Sequence, residues 1–345
     1  MKSTIVGVDL AKDVIQVCVF RNKKLRSNTE MISSEFIDWM ANSNPVTVVF
    51  EACGTSNFWK QKAVSLGHDA RLISAKLVAV VRQNQKTDRN DALAIVQAAL
   101  LPDVCFIAGK SIEQQQLQSI MRMRELCVKQ RTAMVNQLTA LLRELNIKVS
   151  TRTGGLRSAI EATLEDAENG VSFEFRRAIN TAWDQYLSIA VSVHTYDDCL
   201  EKAIETHPDC KKLLKLEGVG ILNAINLYIS LGCAELGVFS KGADASACIG
   251  LTPIQHTSGG SVKLGSIGRG VKNSLLRSQL ISGAMSAVNQ IAKREARTKK
   301  EQWIQALVKR RGKKCTAVAL ANKTVRTANA MLTQNTEYRA ELISA

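Results

Sequence analysis

Short β-rich runs interleaved with helix-like stretches fill the first hundred residues, and they restrict the fold more than any other feature of the chain. Residues 4–9, Thr-Ile-Val-Gly-Val-Asp, and 14–20, Val-Ile-Gln-Val-Cys-Val-Phe, are separated by Leu-Ala-Lys-Asp and read as a hairpin of central strands. Residues 46–50, Val-Thr-Val-Val-Phe, follow Pro45 as a continuous apolar run of the buried, parallel type. His68 to Ile73 makes a further short strand. Helical patterns cover 34–42, 57–66 and 75–82. Such interleaving predicts an α/β sheet whose site lies at the carboxyl edge of its strands.

Four acids fall where that edge would be. Asp9 ends the first run and Glu51 directly follows the third. Asp88 and Asp91 open a predicted helix, three residues apart and therefore on one face. Taken singly, either helix acid is better explained as a helix start, Asp88 as the N-cap and Asp91 as a favourable first-turn charge. The set of four is more specific. Two Mg²⁺ ions ~4 Å apart need several hard oxygen ligands converging from different elements, and Asp9, Glu51, Asp88 and Asp91 supply them.

Charge points to the partner. The 345-residue chain carries a net +15, yet residues 261–330 alone hold 16 Lys and Arg against two acids, Glu295 and Glu301. The rest is close to neutral. A basic region this concentrated favours a polyanion such as nucleic acid over a solvated face or a membrane-surface patch. No apolar run approaches the ~18 residues of a membrane span, and no secretion signal opens the chain. The expected location is cytoplasmic, nucleoid-associated. Nine cysteines include no Cys-x-x-Cys pair. They read as reduced thiols, not disulfides or zinc ligands.

Three parts follow along the chain: an α/β domain at 1–109, a helical connector at 110–206 and a mostly helical unit at 207–345. From Leu117 to Leu145 apolar residues recur at helical spacing, as in one or two long amphipathic helices paired as a coiled coil. Their Arg122, Arg124, Lys129, Arg131 and Arg143 suit phosphate contact and water equally. Asp197-Asp198 read as a helix cap or a solvent-facing pair. Leu213 to Gly220 leads into a helix through Gly218-Val-Gly220, the shape of a helix-hairpin-helix whose glycines let backbone N–H groups approach a phosphate. A Pro-containing, Gly-rich loop then displays Ser258. Lys263, Arg269, Lys272, Arg277, Arg310, Arg311, Lys313 and Lys314 are the candidate phosphate contacts of the basic segment.

Four motifs coincide in order: Gly-Val-Asp9-Leu-Ala-Lys, Phe-Glu51-Ala-x-Gly-Thr, Lys-Thr-Asp88-Arg-Asn-Asp91-Ala, and Gly-Val-Gly followed by Ile-Gly-Leu-Thr-Pro and Ser258-Gly. Together they resemble the DEDD transposases of the insertion-sequence 110 family, which includes the pilin-gene invertases. The resemblance spans nearly the whole chain. It implies an N-terminal RuvC-like (RNase H-type) domain binding Mg²⁺ through the four acids, a helical connector, and a C-terminal domain whose Ser258 is the nucleophile. It also implies a homo-oligomer, dimer or tetramer, with active sites shared between protomers. In part of the family a bridge-type noncoding RNA acts as guide, so DNA and a guide RNA are the expected partners. The chain departs from the family at Ser261, where a basic residue often follows Ser-Gly-Gly; Lys263 stands two further on. By its residues alone the Ser-Gly pair would be only a turn, and the resemblance reverses that. His256 reads as a loop histidine, with activation of Ser258 or a phosphate grip as the lesser alternative.

The competing readings are a site-specific DNA invertase without RNA, a RuvC-like structure-specific nuclease, a sugar-kinase or actin-like ATPase and a non-catalytic nucleic-acid-binding protein. The nuclease needs the acids but no serine. The ATPase fold requires a second Asp-Gly-rich phosphate loop, which the chain lacks. Four intact acids argue against the non-catalytic reading.

Overall fold

The structure is a computed structural model and describes residues 4–231, 239, 241–268 and 274–343. It is a mixed α/β protein, with a five-stranded sheet, a separate two-stranded sheet and twelve helical segments, the last of them broken, among the described residues. The chain separates into two compact units. One comprises 1–114, 228–248 and 325–336; the other comprises 115–227, 249–324 and 337–345.

In the first unit, β1 (Thr4–Leu10) and β2 (Ile15–Arg21) pair antiparallel, as their β-branched runs predict. β3 (Lys24–Met31) extends that hairpin on its outer side. α1 (Ser33–Asn42) leads to β4 (Thr47–Glu51), and α2 (Ser56–Ser65) to β5 (Asp69–Ile73). Both strands run parallel to β1, giving the order β3-β2-β1-β4-β5. α3 (Ala75–Val81) and α4 (Asp88–Ala99) follow.

Side chains alternate between the two faces of the sheet. Val6, Val8, Ile15, Val17, Val48 and Phe50 meet Phe36 and Met40 of α1 and Trp59 and Ala63 of α2. On the opposite face Val49, Ile73 and Cys18 meet Val78 of α3 and Ala92, Ile95 and Val96 of α4. Burying ~100–200 Å² of apolar surface per large side chain stabilises this three-layer unit by about 25 cal/mol per Å².

In the second unit α5 (Ile112–Glu144, entering from the first) and α7 (Phe173–Thr206) are long helices, with α6 (Gly155–Glu165) between them. Leu138 and Leu142 near the end of α5 pack with Ile160 of α6 and Ile179 near the start of α7. Arg124, earlier in α5, donates to Asp197 late in α7. Those two contacts make α5 and α7 antiparallel. Asp197 therefore lies inside a helix and pairs with a guanidinium, neither capping a helix nor standing free. α8 (Pro208–Leu213), α9 (Ile221–Leu231), α10 (Gly242–Ile249), α11 (Ser274–Ile291) and α12 (Lys299–Thr333) complete the helices.

α12 is two helices. Gly312 has φ 78° and ψ 168°, a conformation essentially confined to glycine. The Lys323 ammonium lies 4.8 Å from the centre of the Trp303 ring, whereas twenty residues of straight helix would hold them ~30 Å apart. The chain thus doubles back at Gly312. Another departure from expectation concerns Ser258. Its surroundings form a β-hairpin, β6 (Pro253–Ser258) with β7 (Ser261–Ile267), and not a loop.

Candidate active site

Asp9 and Glu51 reach one edge because β1 and β4 are parallel neighbours. Val8 lies opposite Phe50, so the next residue in each strand is an acid. Asp88 and Asp91 come from α4, which crosses the same face. Thr87 is the N-cap of α4, its hydroxyl accepting from the Asn90 N–H at 3.2 Å. Asp88 is therefore the first helical residue and not the cap, and it is exposed. Asp91 is buried.

The four charges act on one another. Burial, then the charges of Asp91, Glu51 and Asp88, push the Asp9 carboxyl up to about 6. Glu51 is raised by burial and Asp91, against the opposing pull of Lys86 and Arg82. Like charges gathered in partial burial disfavour ionisation, and such perturbation marks sites of function.

Three residues that the sequence did not single out shape the site. Arg82, the residue after α3, donates from Nη1 to Asp91 Oδ1 at 2.7 Å. Gln16 lies opposite Asp9 on β2 and donates to Asn28 Oδ1 at 2.7 Å. Asn28 Nδ2 in turn donates to the Arg89 carbonyl at 2.8 Å, tying the start of α4 to β3. Gln16 Oε1 is buried and without a hydrogen-bond partner. Nothing in local sequence signals these contacts, since they join residues brought together by sheet register.

The donor set suits a hard divalent cation: four carboxylates with a surplus of negative charge. Among the described residues, however, no three His, Cys, Asp or Glu groups stand close enough to hold an ion, and Asp91 is engaged by Arg82. The acids fit a cation in charge and chemistry, and they converge electrostatically without forming a closed cage.

Ser258 belongs to the second unit. It ends β6 at a two-residue turn, where Gly259 and Gly260 have φ 56° and 80°. Two consecutive positive φ values mark the tight hairpin turn whose twist matches its strands. Ser258 pairs with Ser261, and Ser261 Oγ donates to the Ser258 carbonyl at 3.0 Å. His256 pairs with Lys263. Residues two apart, and directly opposed residues, share a face. That face carries Ser258, His256, Ser261 and Lys263, all exposed.

The remaining phosphate candidates divide. Gly218 has φ 78°, and a Cβ there would come within 2.5 Å of the Gly283 carbonyl oxygen. Its form thus serves close approach to α11, while Gly220 is exposed with open space around it. Arg277 is half-buried, its guanidinium set against Gly268. Arg310, Arg311, Lys313 and Lys314 are all exposed around the Gly312 reversal. Arg269 and Lys272 lie outside the described residues.

Comparison with known proteins decides the family. Residues 6–147 match a transposase family of the DEDD type, and residues 210–301 match the Transposase IS116/IS110/IS902 family. Over 97% of the chain, it is 33% identical to the transposase for insertion sequence element IS1111A of Coxiella burnetii, covering 91% of that protein. The chain belongs to the IS110 family of transposases. A probable family 20 transposase of Pseudomonas aeruginosa is 32% identical, with 97% and 98% of the two chains covered. A putative transposase of Sinorhizobium fredii is 29% identical, over 97% and 85%. This transposase is therefore a recombinase that binds DNA. No helix among its described residues is long and apolar enough to cross a membrane.

Proposed function

We propose that this transposase cleaves and rejoins DNA by transesterification, with Ser258 as nucleophile and Asp9, Glu51, Asp88 and Asp91 as ligands of two Mg²⁺ ions on a RuvC-like domain. The observation that carries the reading is the gathering of three other carboxylates around a partly buried Asp9, whose carboxyl is pushed up to about 6 by burial first and then by those charges. Four carboxylates against the one paired guanidinium of Arg82 leave an excess of negative charge at the sheet's carboxyl edge, which suits a cation. Asp9, Glu51, Asp88 and Asp91 would hold the cations, whose chemistry would be Lewis acidity toward the phosphoryl oxygens and the attacking hydroxyl.

The chain's own residues set up the exchange. Ser258 Oγ bonds to phosphorus as the bond from phosphorus to one DNA oxygen breaks. The serine proton passes to solvent, and the departing DNA oxygen takes a proton from solvent to end as a free hydroxyl. The number of phosphoester bonds is unchanged, so a DNA hydroxyl reverses the link on a new strand without ATP. Lys263, on the serine's face, suits a non-bridging phosphate oxygen. The exposed cations from Arg310 to Lys314 suit the duplex backbone or a guide RNA. In keeping with the family resemblance, we assign a bridge-type noncoding RNA as guide. We likewise assign a dimer or tetramer in which one protomer's acids act with another's serine.

The test pairs two substitutions on cognate ends labelled in the DNA. Ser258→Ala should abolish the covalent protein–DNA adduct and strand transfer while keeping Mn²⁺ binding. Asp91→Ala should abolish both reaction and ion binding. Cleavage that survives Ser258→Ala would favour the nuclease, and exchange without any RNA from the flanking DNA would favour the invertase.

A further inference from the structure

We propose that Arg82 is an exchangeable counterion of Asp91, one that an incoming divalent cation must displace, and that it thereby sets the ion affinity of the site. The inference rests on the four-acid reading and deepens it. Arg82 Nη1 lies 2.7 Å from Asp91 Oδ1, with the two side chains 23% and 9% exposed. Among the described residues no other group donates to that carboxylate. A guanidinium cannot shed its proton near neutral pH, so Arg82 and a metal ion on Asp91 repel each other and compete for the same carboxylate. At such short range the repulsion is felt even in a water-like medium, and the half-buried setting strengthens it.

Position makes Arg82 the mobile partner. It follows the last residue of α3 with an extended backbone, φ −63° and ψ 115°. Its stem is long and flexible, whereas Asp91 is held in the first turn of α4. The contact also accounts for the burial of Asp91, which is held as half of an ion pair. Arg82 supplies the compensation that burial demands until a better cation arrives. Once released, its planar fork is free for a phosphate oxygen pair. Ion binding and DNA binding would then reinforce one another.

The experiment is calorimetric titration of the full chain with Mn²⁺, in wild type, Arg82→Met, Arg82→Lys and Asp91→Asn. Arg82→Met keeps most of the stem and removes the charge. It should bind Mn²⁺ about tenfold more tightly than wild type, the scale of one charged hydrogen bond, and Arg82→Lys should fall between. In EDTA, Arg82→Met should melt below wild type, with the deficit closing at saturating Mn²⁺. If Arg82→Met and Arg82→Lys bind Mn²⁺ as wild type does or more weakly, Arg82 is a fixed structural tie and the proposal is overturned. Failure of the underlying reading looks different: Asp91→Asn would then bind Mn²⁺ no more weakly than wild type.

Discussion

Gly7 of β1 lies directly under Ala92 of α4: a Cβ on Gly7 would sit 2.4 Å from the Ala92 carbonyl oxygen and 2.7 Å from Val96 Cγ2. No side chain fits there, so the helix rests on the strand backbone itself. Asp9 is two residues further along β1 and Asp91 is the residue before Ala92. The missing side chain is thus what lets two of the acids approach. Gly7→Ala should destabilise the protein by about 1–3 kcal/mol, the range for overpacking a close contact. It should also weaken Mn²⁺ binding by lifting α4. Thermal unfolding and calorimetry read the two effects separately, and a Gly7→Ala protein with unchanged ion affinity would place the acids' alignment elsewhere.

A glycine pair in the second unit acts on folding alone. Gly218 and Gly283 meet backbone to backbone, each lacking room for a Cβ, and Asn223 Nδ2 donates to the Gly218 carbonyl at 3.4 Å beside them. Gly218→Ala adds a clash to a positive φ. It should cost about 2–4 kcal/mol, whereas Gly220→Ala, with open space around it, should be much milder. Denaturant unfolding of the two variants checks the contrast. Equal losses would show that both glycines share one structural task.

Acidity should act on the ion site with a definite sign. Asp9 titrates at about 6 in the folded chain against an ordinary 3.8, so the folded state holds its proton more firmly than the unfolded one. Its contribution to stability is fully present below pH 3.8 and is lost as pH rises through 6. Glu51 shifts in the same direction. Without divalent cations, the protein should therefore lose stability from pH 4 to pH 6.5, and Asp9→Asn should flatten that slope. Mn²⁺ affinity should run the opposite way, climbing as Asp9 sheds its proton. Melting curves in EDTA and titrations at several pH values test both.

The basic corner at the α12 reversal should declare itself through salt. Replacing Arg310, Arg311, Lys313 and Lys314 together by Gln should lower the slope of log affinity for DNA against log salt by up to about 3–4, near 0.9 for each phosphate that is no longer neutralised. Cleavage chemistry on saturated DNA should persist. A slope that does not change would assign these cations to solvent.

The strands that build the first unit are legible because β1, β2 and β4 are rich in β-branched residues, and the acids near the ends of β1 and β4 follow. β3 is not. Its Lys-Leu-Arg-Ser-Asn-Thr-Glu-Met has few apolar residues, as suits an outer strand. The Ser258 hairpin reads as a loop for a similar reason: Pro, Gly and Ser outweigh its Val and Thr, and cross-strand pairing supplies what propensity lacks. Asp88 falls one residue from its expected role because the preceding Thr87 also caps well. Arg82 and Gln16 leave no local trace, since each acquires meaning only through a partner nine or more residues away. The basic segment is legible as a total but not in its allocation. Arg294 is bound to Glu301, and Lys300 to Glu217 at 2.5 Å, so both already have partners within the chain.

What the reversal at Gly312 offers is economy of order. Its cations stand on the closing turn of one helix and the opening turn of the next, with Thr316 Oγ1 fastening the second to the Gly312 carbonyl at 2.8 Å. A basic tail of equal charge would have to freeze its backbone upon meeting a phosphate chain, at roughly 1–2 kcal/mol per residue. If these cations meet nucleic acid as proposed, the backbone is already ordered and only the side chains of Arg310, Arg311, Lys313 and Lys314 remain to be fixed.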